Sequence, residues 1–452
     1  MRRFYEAPAY ETAPDPGNLW RARTPPETMR RAPLEAEIEV DHAIIGAGVT
    51  GLSAALRLAE GHGRSVAVLE AAWPGWGASG RAGGFVCLGG AKLSDDAVIR
   101  RCGLEEARAF HRFQREAVAW VDAFLTDRGA AAARHGAGAE DGETMLAHRP
   151  RIAAGLAAEA ARLKDLYGLR AEALSREALI ERGVAGPEFH GGLHIPVGFA
   201  VDPLAYAQTL LAAAERAGAV VFGDSAASRI APGAQGVIIT TARGAVRAKN
   251  VIIAVNGYGW EGGGEGLSGA AAPAFSSVLA TRPLTAAEQA EQGWSARGMA
   301  FCSRILLHYF RLLPDGRFLF GMRGGVSATP RAQDRARMRL RRDFARMFPA
   351  WAAVETPHVW SGLVCLTASF TPFIGALPSD PRLLAAFGYH GNGLAMGGAA
   401  GRAAADLAVG ALRPEDLPAP LRGPLRRFAA PALRRLGLRA AYLAYALRDG
   451  WP

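Results

Sequence analysis

Three glycines, Gly46, Gly48 and Gly51, have a spacing that can do chemistry: the run Gly46-Ala47-Gly48-Val49-Thr50-Gly51 is a G-x-G-x-x-G. Such a run brings main-chain amides up to a diphosphate. The first glycine permits a tight turn, the second lets backbone approach the anion without a Cβ, and the third lets a helix pack against a strand. The anion then rests on a helix N-terminus, where free N–H groups and the positive end of the dipole favour it. Nineteen residues after Gly51, Glu70 and its neighbour Ala71 stand where a carboxylate can accept from a ribose hydroxyl. An acid there opposes a 2′-phosphate, so NADP is disfavoured.

That chemistry requires a strand before the glycines, a helix after them and a second strand ending at the acid. Ala43-Ile44-Ile45 is a short apolar run, Leu52 to Glu60 has helical composition, and Ser65-Val66-Ala67-Val68-Leu69 is β-branched and ends at Glu70. Together they make a βαβ unit of the usual length. A tight turn without a ligand is the weaker alternative. The motif alone leaves FAD and NAD open, but a second glycine-rich run, Gly77 to Phe85, follows the second strand directly, and an NAD enzyme does not need one there.

Elsewhere the pattern alternates between helix and strand. Residues 1–36 hold Pro8, Pro14, Pro16, Pro25, Pro26 and Pro33, a density that favours an extended arm on the surface. Ser94 with Asp95 and Asp96 opens a helix whose Phe110, Phe113, Ala117, Trp120 and Phe124 share a face. Asp202-Pro203 caps and starts another, which stops at Gly218. β-like runs follow at 220–222, 237–240 and 251–255, then at Arg304 to Phe310. An Arg-rich helical stretch covers 331–348, and a last helix is expected over Leu436 to Leu447.

Composition narrows the partners. The formal charge of +10 comes almost wholly from arginine, since Lys92, Lys164 and Lys249 are the only lysines among 52 basic residues. From Arg413 onward eight arginines face three acids, so the C-terminal tail supplies +5 of that charge and could touch a membrane surface weakly. No nucleic-acid motif is present. Cys87, Cys102, Cys302 and Cys365 lack C-x-x-C spacing and neighbouring histidines, which argues against a metal site and for a reducing, cytoplasmic compartment. Arg2 and Arg3 are followed by polar, Pro-rich sequence rather than an apolar signal core, and no stretch of about 18 apolar residues suggests a transmembrane segment.

The chain resembles the D-amino-acid-oxidase-like FAD-dependent oxidoreductases, in particular the branch of γ-glutamylputrescine oxidoreductase and the glycine and sarcosine oxidases. The resemblance rests on the dinucleotide motif and on Ala78-Ser79-Gly80-Arg81-Ala82-Gly83-Gly84, which is similar to the ASGRNGG of that branch. Asp202-Pro203, Ala254-Val255-Asn256-Gly257-Tyr258, Pro314-Asp315-Gly316-Arg317 and Gly388-Tyr389-His390-Gly391-Asn392-Gly393 complete it. It implies an α/β fold: a Rossmann-like FAD-binding domain (37–92, 200–262 and 363–412) with an interleaved α+β substrate domain (93–199 and 263–362). The latter is built on a mixed or antiparallel sheet, and a basic tail follows over 413–452. It also implies FAD with its pyrophosphate at Gly46 to Gly51 and its isoalloxazine near Ser79, Gly80, Arg81, Gly83, Gly84 and Phe85. The pyrimidine edge would lie near Gly391, Asn392, Gly393 and Leu394. Ala227 matches a backbone contact to adenine, and Ala254, Asn256 and Gly257 belong to a further cofactor-binding match. Backbone amides beside a reduced flavin, which is anionic at N1, suit that arrangement.

Two departures qualify the resemblance. Thr367-Ala368-Ser369-Phe370-Thr371-Pro372 places Ser369 where the branch carries an acid, and Ala395 stands where sarcosine-oxidase-like enzymes carry a lysine. Glycine and sarcosine are therefore disfavoured. The spacing of Cys365 to Pro372 does not match relatives that attach flavin covalently, so FAD is expected to be non-covalent. For catalysis, His390 is the best polar candidate, with closure of its loop as the alternative. Arg311 and Arg323 could bind a substrate carboxylate bidentately or serve in surface salt bridges, and Tyr309 could line the pocket. The expected reaction is oxidation of a C–N bond of an amine or N-substituted amino acid, with oxygen as acceptor. A dehydrogenase serving a quinone or carrier protein, and a non-catalytic dinucleotide-binding module, are the alternatives.

Overall fold

Two eight-stranded sheets organise the chain in the computed structural model, which describes residues 3–12, 17–136, 141–259 and 267–450. Pro14, Pro16, Arg2 and the proposed boundary at 262 lie outside the described residues. The first sheet takes the short runs that are apolar on both faces, as buried parallel strands must be. Its order is Phe373–Leu377, Asp380–Phe387, Ala245–Ile253, Glu37–Ile45, Val66–Leu69 and Val220–Phe222. Ile44 pairs with Ile252 on one side and with Val68 on the other, both in parallel register. Phe373–Leu377 closes one edge antiparallel, and the hairpin of Arg229–Gly233 with Gly236–Thr240 folds onto Ala245–Ile253.

One face of this sheet is covered by small-residue helices. Val49–Leu56 is wholly buried, and Gly393–Ala408 packs so closely on it that a Cβ at Gly401 would overlap the Thr50 carbonyl. Pro203–Arg216 joins them, capped by Asp202, whose Oδ1 accepts from the amides of Leu204 and Ala205.

The second sheet runs His358–Thr367, Ala271–Pro283, Arg317–Arg323, His308–Leu312, Met299–Cys302, Glu143–Leu146, Gly192–Ile195 and Glu172–Leu174. It is mixed, because Met299–Cys302 lies parallel to Glu143–Leu146 while its other pairings are antiparallel. Helix Pro330–Met347 seals its back over a fully buried aromatic layer that includes Trp294, Phe310, Phe318 and Phe348. His358–Thr367 runs straight through the 362/363 divide, since strand pairing with Ala271–Pro283 continues to Thr367.

Three local expectations differ from the structure. The N-terminal arm contains short helices, Leu19–Arg23 and Pro26–Met29, and buries Trp20 and Met29 completely. It is therefore part of the core. The helix opened by Ser94 is two helices, Asp95–Cys102 and Leu104–Asp127, broken at Gly103 where φ is +91°. The second packs on helix Gly393–Ala408, which covers the first sheet, with Trp120 against Gly398, so segment 93–199 serves both sheets. Of the Arg304 to Phe310 run, only His308 onward is strand, because Ile305 and Leu306 donate their amides to Asp449 of the last helix. The last helix, expected over Leu436 to Leu447, spans Arg434–Asp449, and Arg435 on it pairs with Glu6 of the arm. Among the described residues no helix is long and apolar enough to cross a membrane, and no cluster of His, Cys, Asp and Glu suits a metal ion.

Candidate active site

A crevice with about 2170 Å³ of empty space, open to solvent on one side, runs from the carboxyl end of the first sheet to the inner face of the second. Its first wall is the handover from strand Glu37–Ile45 to helix Val49–Leu56. A Cβ on Gly51 would overlap the Gly46 carbonyl oxygen, so only glycine lets helix and strand approach this closely. Glu70 lines the crevice and holds the turn: its Oε2 accepts from the Ala47 amide at 2.8 Å and its Oε1 from the Ala72 amide at 3.1 Å. Burial raises its carboxyl, against the backbone N–H groups that favour the charge. The Val49 amide donates to Ser79 Oγ at 2.9 Å, which ties the second glycine-rich run to the helix start.

Most of the sequence-predicted residues share this crevice. Gly46, Gly48, Val49, Thr50, Glu70, Ala71, Ser79, Arg81, Gly83 and Phe85 line it, as do Ala227, Ala254, Asn256, Gly391, Asn392, Gly393 and Leu394. Arg81 is held by the Trp76 and Ser361 carbonyls and stacks over the Trp76 ring at 4.3 Å. Asn256 accepts from the Gly388 amide at 3.0 Å, joining two of the predicted segments. Ala47, Gly51, Gly80 and Gly257 do not face the crevice. They shape it from behind, Gly80 by donating to Gly75 O and Gly257 by packing under Leu363 and Val364.

The two arginines part company. Neither is a surface residue, and neither forms a salt bridge among the described residues. Arg311 is fully buried and donates from Nε to Gly83 O at 3.0 Å and from Nη2 to Val201 O at 2.6 Å, while Nη1 lies 2.9 Å from His135 Nδ1. Each of its three nitrogens is engaged in tying Gly83, Val201 and His135 together, and burial pushes it down to about 9. A substrate carboxylate therefore has no access to it. Gly84 belongs to the same clamp: at φ +80° it turns the chain where a Cβ would overlap Val201 O and Arg311 Nη2, and it too lies outside the crevice. Arg323, by contrast, lines the crevice, occupies the space a side chain at Gly391 would need, and has no carboxylate partner among the described residues.

His390 lies against the same region, with its backbone amide donating to Cys365 O at 3.2 Å and Nε2 3.2 Å from Thr367 Oγ1. It closes its loop and lines the crevice at once. Its Nδ1 is buried without a hydrogen-bond partner, and burial, then Lys92 and Arg323, push the imidazole down to about 3. The ring is neutral through the working range of an enzyme. Ser369, at the acid's place, bonds the Thr371 carbonyl within the same loop. Tyr309 faces the crevice, bonds Ser276 Oγ at 3.0 Å and stacks edge-on to Phe85.

Sequence reasoning missed Lys92, Glu143 and Cys87, all of which line the crevice. Lys92 is signalled only by its rarity, as one of three lysines in an arginine-dominated chain. The Arg323 guanidinium beside it, then burial, push its ammonium well down. Glu143 opens a short apolar strand, and burial pushes its carboxyl up to about 7. Cys365 is buried away from the crevice, with its thiol pushed up to about 12.

The profile of the FAD dependent oxidoreductase (DAO) family matches residues 41–407. The chain is 30% identical over 382 residues to gamma-glutamylputrescine oxidoreductase of Escherichia coli, covering 83% of this chain and 85% of that one. It is 29% identical over 392 residues to the probable oxidoreductase OrdL of Haemophilus influenzae, covering 84% and 85%. Glycine oxidase from Geobacillus kaustophilus superposes with a TM-score of 0.66 at 21% identity, over 86% of this chain and 99% of that one. L-proline dehydrogenase from P. horikoshii does so at 0.67 and 18%, over 87% and 100%. These two likenesses establish the shared fold. The crevice, its glycine turn and a profile match over most of the sequence together place the chain in the FAD dependent oxidoreductase family, as an enzyme that works through FAD.

Proposed function

We propose that the protein oxidises a C–N bond of an amine or N-substituted amino acid to the imine, which water then hydrolyses, with oxygen as acceptor and FAD held without a covalent bond. When bound, FAD accepts the hydride from the carbon next to nitrogen. The rest falls to this chain. Gly46, Gly48, Val49 and Thr50 would hold the pyrophosphate, Glu70 and Ala71 the ribose, and Ala227 the adenine. The segments at Ser79 to Phe85 and Gly391 to Leu394 would hold the ring system. The residues present fit such a group, because Glu70 keeps lone pairs beyond its two backbone donors and faces an open crevice. The position of Cys365 away from the crevice supports a non-covalent cofactor.

The observation that carries the substrate half is Arg323, a crevice-lining guanidinium without an anionic partner among the described residues. Its planar fork suits a carboxylate bidentately. Lys92 adds a second cation beside it, Tyr309 a wall, and His390 a neutral ring that shapes the pocket without adding charge. The relative at 30% identity is by name a gamma-glutamylputrescine oxidoreductase, which supports an amine that carries a carboxylate. An anaerobic panel of polyamine derivatives and amino acids, scored by flavin bleaching, tests this reading. Bleaching by a carboxylate-bearing amine is expected, whereas bleaching by a hydroxy acid alone contradicts it.

A second reading, a dehydrogenase passing electrons to a quinone or carrier protein, is favoured by the last helix. Leu436, Leu443 and Leu447 stand 62%, 70% and 78% exposed on it, while Tyr442 lies near Arg323. Stopped-flow mixing of reduced enzyme with air separates the two: rapid reoxidation supports the oxidase, slow reoxidation the dehydrogenase.

A further inference from the structure

Glu143 is a crevice-lining carboxyl whose burial is offset by no cation among the described residues. It is 7% exposed, opens the strand Glu143–Leu146, and stands between Met299 and Ile195 on the neighbouring strands. Its carboxyl is in hydrogen-bond reach of the Cys87 thiol, and no arginine, lysine or histidine pairs with it among the described residues. Phe301, Leu307 and Leu88 complete an apolar surround on the crevice. A carboxyl in such a place costs several kcal/mol to ionise unless a cation joins it. Among the described residues the fold supplies none, although the chain holds 52 basic residues.

The basic groups of the crevice are elsewhere. Arg323 holds the Lys92 ammonium down, and the titratable groups that act most on Arg323 itself are Tyr309, Tyr442 and Cys87, with Glu143 absent from them. Cys87 feels both Glu143 and Arg323. It therefore lies within electrostatic reach of a cationic group and of an acidic one. A pocket with two unpaired poles of opposite sign is matched by a ligand that brings both opposite charges.

We propose that Glu143 binds a protonated, non-reacting nitrogen of the substrate, so that the substrate class is a carboxylate-bearing compound with at least two amines. This rests on the function proposed above and narrows it. A nitrogen ion-paired to Glu143 keeps its proton, and a protonated amine has no lone pair to support loss of hydride from the neighbouring carbon. The oxidised C–N bond thus belongs to the other amine. Arg323 takes the carboxylate, Glu143 takes the spectator ammonium, and the reacting nitrogen is left without an ionic partner, as its oxidation requires.

The test uses ligands that cannot be oxidised in this way. The yellow holoenzyme is titrated with ω-guanidinoalkanoates of one to four methylenes, and with the matching ω-ureidoalkanoates, which have the same planar shape without the charge. Binding is read from perturbation of the flavin spectrum. At the best chain length, wild type is expected to prefer the guanidino ligand by at least about tenfold, since a charged hydrogen bond is worth roughly 1.5–3 kcal/mol. Glu143→Gln is expected to lower that preference below about twofold and leave ureido binding unchanged, with Glu143→Asp keeping part of it. Retained preference in Glu143→Gln, or none in wild type at any length, overturns the assignment. Because no turnover is read, this failure is distinct from failure of the amine-oxidation reading, which shows as an enzyme that no amine bleaches.

Discussion

The two ends of the crevice are built from different materials. At the dinucleotide end, from Gly46 to Glu70, the contacts come from backbone: the Ala47 and Ala72 amides on Glu70, the Val49 amide on Ser79, and glycines where side chains would collide. At the substrate end, side chains from five separate segments converge, namely Lys92, Glu143, Tyr309, Arg323 and His390. Backbone geometry tolerates little variation, whereas a wall of side chains can be exchanged one residue at a time. Under the proposed function, the backbone-built end takes the cofactor and the end built from side chains selects the substrate.

The sharpest way to break this contrast is at Gly51. Gly51→Val drives a side chain into the Gly46 carbonyl, and the expected result is a protein that purifies colourless and regains no flavin absorbance on addition of FAD. A yellow variant would show that the turn is not dictated by backbone. Next in size is Arg311, which belongs structurally to the dinucleotide end although it lies one hairpin away from Arg323. Arg311→Gln leaves the Gly83 and Val201 carbonyls without their donor and should cost about 4 kcal/mol of stability, read as a lowered denaturant midpoint, with KM nearly unchanged in the folded fraction. Arg323→Gln should behave inversely. It is expected to keep its flavin and its stability and to lose about 100-fold in kcat/KM for a carboxylate-bearing amine, which corresponds to about 2.7 kcal/mol. Equal losses for an amine without a carboxylate would contradict its role.

These contrasts follow how legible each end was. The glycine turn could be read because one residue type at fixed spacing is required there and nothing else fits. The parallel strands were legible because a strand buried on both faces has to be apolar throughout, as Ala43 to Ile45 and Val251 to Ile253 are. The substrate end was not. Arg311 and Arg323 sit on adjacent antiparallel strands with similar sequence surroundings, and only the pairing register decides that one meets backbone carbonyls and the other meets open space. Glu143 and Lys92 lie in a short strand and an irregular loop, where no periodicity marks the inward side. The break at Gly103 was visible as a glycine, but the apolar face that marks the helix begins only at Phe110, beyond the break, and does not report on it.

Two smaller effects sharpen the comparison further. Burial raises the Glu143 carboxyl from 4.5 to about 7, so between those pH values the folded protein keeps a proton that the unfolded chain has lost. Stability is then fully present below pH 4.5 and falls as pH rises toward 7, by an amount on the order of 3 kcal/mol. Glu143→Gln should remove that fall, so its denaturant midpoint relative to wild type should rise between pH 5 and pH 8. An unchanged difference would show that the carboxyl is not desolvated. Lys92→Gln should do least, raising KM for a carboxylate-bearing amine by under about fivefold because Arg323 remains, while kcat is held.

The most direct measurement joins both ends of the crevice in one cuvette: anaerobic addition of carboxylate-bearing amines to purified wild type and Arg323→Gln, followed through the flavin bands. Both proteins should be yellow, and at least one such amine should bleach wild type at a concentration that leaves Arg323→Gln coloured. A wild-type protein that takes up no FAD, or a flavin bleached equally in both proteins, would contradict a dinucleotide cradle that presents its cofactor to an arginine-anchored substrate.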